Sequence, residues 1–389
     1  MKRIGKLIRT AILLLMIPLL GGCWDRTEVN DLALIMAASL DAGKNGTIEL
    51  SVQVFTPNQT SGGGSGINSS DSGSDTFIVQ SASGTDFADA SSRLQELLPR
   101  KVFWGHGEVF VFGEQLAKKG IIDQMDFLFR HPQPRERAYV FISKGKAKDI
   151  LSMNTRIERD SAETLREMAT LSVGTGVSLR DLNDMLTGRA KAAMVPLIEK
   201  KEGPGGNVFP YISGAAVLKG GKLTAQFSDM LKRETQLIRG ELKVFNVTFP
   251  VKENKGREDG LMSVRVVKCR TKLIPRIDRN RWSVTVRVEG EGGVLQNASR
   301  ANVMKPAELP RLEAQLNQEI GQRIESAFRL IQREAKADVF GVADAFWRKY
   351  PKQWTKEQKR WNEIFSEIDI HAEANVKILW PGFSGKSFK

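Results

Sequence analysis

Among the side chains that could do nucleophilic or metal chemistry, this 389-residue chain has two cysteines and three histidines. His106, His131 and His371 lie outside any metal-ligand spacing, and no HExxH pair occurs. There is no GxSxG elbow and no Walker-type phosphate loop. The glycine clusters Gly174-Thr-Gly176 and Gly203-Pro-Gly-Gly206 read as turns, and no helical pattern follows Gly382-Phe-Ser-Gly-Lys-Ser387, so no phosphate cradle is expected at any of them. His106, in Phe103-Trp-Gly-His-Gly107, reads as a packed or hydrogen-bonded turn residue. Cys269 sits in the alternating run Ser263-Val-Arg-Val-Val-Lys-Cys-Arg270 with no adjacent base, which predicts a structural thiol on a strand. Paired carboxylates leave no spacing signature, and nothing in the sequence points to hydrolysis by such a pair.

Cys23 is different. It closes a segment with Lys2, Arg3, Lys6 and Arg9, then an apolar run from Thr10 to Leu20, then Gly21-Gly22-Cys23. That is a basic region, a short apolar region and a small-residue cleavage site. The apolar run is shorter than the roughly 20 residues that a membrane-spanning helix needs. Leu20-Gly21-Gly22-Cys23 resembles a bacterial lipobox. The chemistry expected at Cys23 is a diacylglycerol thioether on the sulfur and cleavage before that residue, with the new amino group open to N-acylation. Acyl chains such as palmitate contribute about 0.8 kcal/mol per buried CH₂, and two chains give stable anchoring where one does not. Residues 1–22 are therefore expected to be a lipoprotein signal peptide. With Cys23 engaged, Cys269 has no partner and no intramolecular disulfide is expected.

The formal charge is +13, and the four positives of the first 22 residues leave +9 from Cys23 onward. On a tethered exported protein a basic surface points to anionic lipid or acidic wall polymer. Nucleic acid is not expected, because the positives are interspersed with acids and no reader motif occurs.

The elements that would position these residues are strands and helices in alternation. Ile48, Leu50, Val52 and Val54 alternate as in a half-buried strand. Thr60 to Asp75 is Ser/Gly-rich and reads as a flexible loop before a strand at Phe77-Ile-Val79. Phe87, Ala90, Leu94 and Leu97 mark one face of a helix over 86–98. Apolar strands follow at 108–112 and 138–142, around a helix over 122–129. A first mixed domain over 23–200 is expected, with the breaker cluster 200–207 as its boundary. A middle domain over 201–259 holds a hairpin across Gly220-Gly221. The last, 260–389, combines strands over 264–274, 283–289 and 368–378 with a long helix over about 306–336. That helix carries Leu309, Leu312, Leu316, Ile320, Ile324, Phe328 and Ile331 on one stripe. Trp347, Trp354 and Trp361 are seven apart, but Tyr350-Pro351 divides them between two short helices, with core packing their expected role. The fold class expected is α+β, multi-domain.

Taken in order, these segments resemble a known family. Cys23-Trp-Asp-Arg with Glu28-Val-Asn-Asp31 is similar to the mature N-terminus of the Ger(x)C proteins, the C subunits of nutrient germinant receptors of spores. Further matching segments are Leu98-Pro-Arg-Lys-Val-Phe-Trp-Gly-His106 with Glu114, Asp126-Phe-Leu-Phe-Arg130, Arg137-Ala-Tyr-Val140 and Lys148-Asp-Ile-Leu151. Ser213-Gly-Ala-Ala-Val217, Glu234-Thr235, Asp338-Val-Phe-Gly341, Arg348-Lys-Tyr-Pro351 and Trp361-Asn-Glu-Ile-Phe365 complete the set. The Ser/Gly-rich stretch 60–75 looks like a lengthened loop of this member. The resemblance implies three domains, each a β-sheet with surrounding helices, and a non-enzymatic subunit without cofactor. It implies two integral membrane partners, an A-type subunit with a large soluble domain and a transporter-like B-type subunit, on the outer face of the spore inner membrane. It assigns no ligand-binding residues, so Cys23 is the one position with a matched chemical role. The competing expectation is an extracytoplasmic solute-binding lipoprotein. That would need two similar lobes around a cleft, and a long helix beside antiparallel strands argues against it.

Overall fold

A computed structural model describes residues 28–56, 77–153, 158–171, 176–203, 206–228, 230–253 and 257–382. Cys23 and the loop expected at 60–75 lie outside the described residues.

The first sheet is built on the parallel strands β1 (Leu32–Ala42), β5 (Val109–Gly113), β6 (Tyr139–Ser143) and β7 (Ala192–Glu202). β2 (Ile48–Phe55) and β3 (Phe77–Gly84) extend it antiparallel beyond β1. β8 (Val208–Lys219) and β9 (Lys222–Ser228) extend it antiparallel beyond β7, and short β4 (Lys101–Phe103) pairs with the start of β1. The order is β3-β2-β1-β5-β6-β7-β8-β9. Strands covered on both faces read as continuous apolar runs, and every residue of β5 is buried. Its Phe110 and Phe112 enter a core with α1 (Phe87–Leu97), α2 (Glu114–Lys119), α3 (Ile122–Arg130) and α6 (Leu179–Thr187). Its Val109 and Val111 enter a second core with α4 (Ala147–Leu151) and α5 (Ser161–Thr170). The same layering corrects the half-buried reading of β2. Its apolar face is buried as expected, but Ser51 and Gln53 on the other face are buried too. There Gln53 Oε1 accepts from the Ala162 N–H at 3.2 Å. Leu97 departs from the expected helix stripe and is 53% exposed, because α1 ends at that residue.

The second sheet has the order β10-β11-β12-β13: β10 (Phe245–Lys252), β11 (Glu258–Asp278), β12 (Arg281–Asn297) and β13 (Asp369–Trp380). β13 runs parallel to β12 and the other pairs are antiparallel. β11 and β12 form one long hairpin whose two turn residues, Arg279 and Asn280, both take positive φ (46° and 68°). That geometry matches the right-handed twist of the strands it joins. Helix α8 (Leu309–Glu334) lies across this sheet, with Pro310 in its first turn. Leu312, Leu316, Ile320, Ile324, Phe328 and Ile331 are buried along the expected stripe. Its flanks satisfy both sheet edges. Glu313, Asn317 and Glu325 accept from the Ile378, Val376 and Ala372 amides of β13 (3.0, 2.7 and 3.1 Å). On the opposite flank Gln315 pairs with both backbone groups of Lys252, and Arg323 donates to the Thr248 carbonyl. Open edges invite pairing with other chains, and here one helix closes two of them.

Residues 201–259 carry no sheet of their own among the described residues. β8 and β9 belong to the first sheet, and β10 joins the second. Helix α7 (Met230–Arg239) stands between the two, with Leu237 and Ile238 in the core. That core runs without a break from Met194 and Val217 of the first sheet to Val264, Val286 and Ile320 of the second. The fold is α+β.

Candidate interaction surfaces

The three histidines stay apart. His106 closes the turn Trp104–His106, where it is half-buried beside a small groove with Glu108 and Arg166. His131 stacks on Phe127, with centroids 5.3 Å apart, and burial holds its imidazole below the ordinary range. His371 is exposed on β13. Among the described residues no three His, Cys, Asp or Glu side chains come close enough to hold a metal. Cys269 is a half-buried free thiol on β11, pushed up in pKa by burial. Such a thiol is a poor nucleophile. Trp354 and Trp361 pack 5.0 Å apart in the core, as expected. Pro351 does divide the helices here: α9 (Val342–Lys349) ends before it and α10 (Pro351–Glu357) begins at it. Trp361 starts a further helix, α11 (Trp361–Glu367). Trp347 is 41% exposed, against the expectation of core packing. It stands on the outer side of α9, under a cation from the first unit.

A cleft of about 690 Å³ lies where α6 and the start of β7 meet β11 and α9. Two of its arginines are engaged with lining carboxylates. The Arg189 guanidinium carbon lies 3.4 Å from the Trp347 ring centroid, and its Nη1 donates to Asp344 at 2.7 Å. Arg239 Nε donates to Glu241 at 2.6 Å, and its Nη1 reaches the Val339 carbonyl at 3.4 Å. Nearby, Lys219 Nζ donates to the Lys336 carbonyl at 2.9 Å. Arg189 and Arg239 thus tie segments of the two sheets together across this cleft, which Lys272 and Arg348 also line.

Two buried aspartates organise the turns around this framework. Asp338 accepts from the amides of Phe340, Gly341, Val342 and Ala343 (2.6–3.1 Å), holding the entry to α9 where Gly341 takes φ 82°. Burial raises its pKa against the pull of those four donors. Asp41, at the end of β1, accepts from the Ala147 and Lys148 amides at 2.8 and 2.9 Å and so receives the start of α4. Lys148 in turn pairs with Glu49 at 2.9 Å.

Comparison with known proteins matches these same segments. Residues 25–200 match the family model described as the spore germination protein N-terminal domain. Residues 213–382 match the one described as spore germination B3/GerAC-like, C-terminal. The chain belongs to the Ger(x)C family of spore germination proteins. Among Ger(x)C relatives of Bacillus subtilis (strain 168), it is 28% identical to the putative spore germination protein YfkR over 370 residues, covering 94% of each chain. It is 25% identical to spore germination protein KC over 408 residues, covering 99% of this chain and 98% of that one. The crystal structure of the GerBC protein shares the fold, with a TM-score of 0.57 at 18% identity over 88% of this chain and 97% of that chain.

Several Ger(x)C-like segments are structural devices in this molecule. Asp338-Val-Phe-Gly341 is the cap of α9, and Lys148-Asp-Ile-Leu151 is the helix start seated on Asp41. In Ser213-Gly-Ala-Ala-Val217, a Cβ on Gly214 would come 1.8 Å from the Phe227 carbonyl oxygen, so only glycine lets β8 and β9 approach. Trp104, in the segment over 98–106, is buried against Phe87. Sequence reasoning missed Asp41 and Arg189 altogether. An aspartate ending an apolar strand and an arginine after a helix-terminal glycine carry no signal of their own, because their partners lie 106 and 155 residues away.

Proposed function

We propose that this protein is a lipid-anchored, non-enzymatic subunit of a spore germinant receptor, needed for nutrient-triggered germination. Its place is the outer face of the spore inner membrane, held through a diacylated Cys23. Two integral membrane subunits, of A and B type, are its partners. The observation that carries this reading is the family match across both halves of the chain, over 25–200 and 213–382. The lipobox-like Leu20-Gly21-Gly22-Cys23 supports the anchor. The use of the family segments as caps, turns and close strand contacts supports a subunit that binds partners and does no bond chemistry.

Purification of the tagged chain from spore membranes tests the assembly, with two polytopic proteins expected to co-purify. Recovery without them would overturn the receptor assignment. Mass spectrometry of the mature N-terminus tests the anchor, with a diacylglycerol adduct on Cys23 expected. An unmodified terminus at another residue would overturn it.

A further inference from the structure

Helix α8 closes the edges of β10 and β13, but one stretch of the second sheet stays open. β10 pairs with β11 over 258–266 only, and over 268–278 β11 pairs with β12 alone. Pro275 suits such an edge, since proline lacks the N–H that a second strand neighbour would need. Its carbonyl accepts from Lys349 Nζ of α9 at 2.8 Å. The Thr271 carbonyl faces out of the sheet too, 3.7 Å from where a Cβ on Gly240 would stand. The Lys268 carbonyl faces the other way, 2.8 Å from the Cβ position of Gly290 on β12. Backbone groups on one side of an antiparallel strand recur at every second residue. Thr271, Leu273 and Pro275 therefore turn theirs to the open side. Among the described residues no loop or helix backbone bonds to Thr271 or Leu273. Room lies beside them, because four consecutive residues of β11, 271–274, line the 690 Å³ cleft.

The side chains of this edge say what would fit it. Cys269, Leu273 and Ile277 pack toward the core. The alternate positions form the opposite, solvent-facing row: Lys268, Arg270, Lys272 and Arg276 are exposed, with half-buried Ile274 between the last two. Lys268 lies 3.5 Å from Glu291, and Arg276 lies 3.6 Å from Asp278. Glu289 stands opposite Arg270 on β12. Lys272 has a like charge opposite, Arg287, which Glu373 already holds at 2.9 Å. Like charges directly opposite each other are unfavourable, so Lys272 lacks a counter-charge on the β12 side. On the cleft side four of the five lining carboxylates hold partners within the protein. Asp184 is the fifth.

We infer that an extended acidic segment of a partner protein adds to β11 as a further strand, its backbone bonded to Thr271 and Leu273 and its carboxylates beside Arg270 and Lys272. Strand addition draws affinity from main-chain bonds and specificity from alternate side chains. Four cations on one short edge disfavour pairing with the same strand of a second copy, the device by which natural edges avoid self-association. The edge belongs to the folded second sheet and does not depend on Cys23 or on the receptor subunits. A synthetic strand can therefore test it alone, and its failure would leave the receptor reading untouched.

The probe is a synthetic peptide of alternating Glu and Val, added to the full chain, with hydrogen exchange read at single residues by mass spectrometry. The amides of Thr271 and Leu273 are expected to exchange several-fold more slowly with the peptide, while that of Lys272, turned to β12, stays unchanged. Polyglutamate, acidic but without strand preference, should leave all three unchanged. In Arg270→Glu/Lys272→Glu the protection should be lost, and a peptide of alternating Lys and Val should restore it. Leu273→Pro should abolish protection at Thr271; its denaturation midpoint reports whether it folds, and the charge reversal decides if it does not. Unchanged exchange at Thr271 and Leu273 with excess peptide would overturn the inference, as would amides already slow in the free chain. Equal protection by polyglutamate would also overturn it, since any polyanion would then serve. So would retention on phosphatidylglycerol vesicles with no effect of the peptide, which would assign the cations to lipid.

Discussion

Arg189 stacks on Trp347 across the seam between the two sheets, with its guanidinium carbon 3.4 Å from the ring centroid, and the same guanidinium donates to Asp344 at 2.7 Å. One side chain thus fastens the segment before β7 to helix α9. Both charged groups are more than a third exposed, so solvent screening limits the ion pair, and a stacked cation at such a site contributes about 0.5–1 kcal/mol. Arg189→Ala is expected to lower stability by about 1 kcal/mol. Arg189→Lys should recover only part of it, because an ammonium lacks the planar face. Chemical denaturation of the full chain, with a double-mutant cycle against Trp347→Ala, measures the coupling. Additive single mutants would show that the stack contributes nothing.

Gly113 and Asp41 form a second tight pair. A Cβ at Gly113 would lie 2.0 Å from Asp41 Oδ1, the oxygen that accepts from the Ala147 amide. Gly113→Ala must push the carboxylate off the start of α4 and leave buried amides unpaired, at a cost of about 2–4 kcal/mol. Asp41→Ala removes the same bonds. The double mutant should cost clearly less than the sum of the two, since the clash has no target once the carboxylate is gone. Denaturant midpoints of the three variants decide it.

Helix α8 allows a three-way comparison. Ile320 is buried over the second sheet, so Ile320→Ala should cost about 2–5 kcal/mol, and Ile320→Asp more. Asn317 bonds both the amide and the carbonyl of Val376, at 2.7 and 3.3 Å. Asn317→Ala should cost about 1–3 kcal/mol and speed hydrogen exchange at Val376. Exposed Gln318→Ala should change stability by no more than about 0.5 kcal/mol. Equal effects at 317 and 318 would refute the edge-capping role.

His131 sets a pH dependence of known sign. Burial depresses its folded pKa, so the folded state binds fewer protons there than the unfolded state. Its contribution to stability is present above the unfolded value, about 6.5, and declines as pH falls through that value toward the folded one. His131→Gln should flatten the stability profile between about pH 7 and pH 5 relative to the parent chain. Denaturation midpoints across that range measure the slope. An unchanged slope would mean that His131 titrates alike in both states.

The sequence by itself determined the family and those elements whose periodicity is strong. Periodicity placed α8 to within a turn at each end, because a stripe of seven apolar residues at helical spacing has no competing reading. Pro351 separated α9 from α10 through its missing N–H. The hairpin across Gly220-Gly221 was legible because two glycines at positive φ mark a tight turn. Tertiary structure alone decided how those elements share sheets. Nothing local in β2 told that its second face meets α5, or that β8 and β10, 26 residues apart, enter different sheets. Strand partnership depends on burial against distant segments, and a single strand carries only its own alternation.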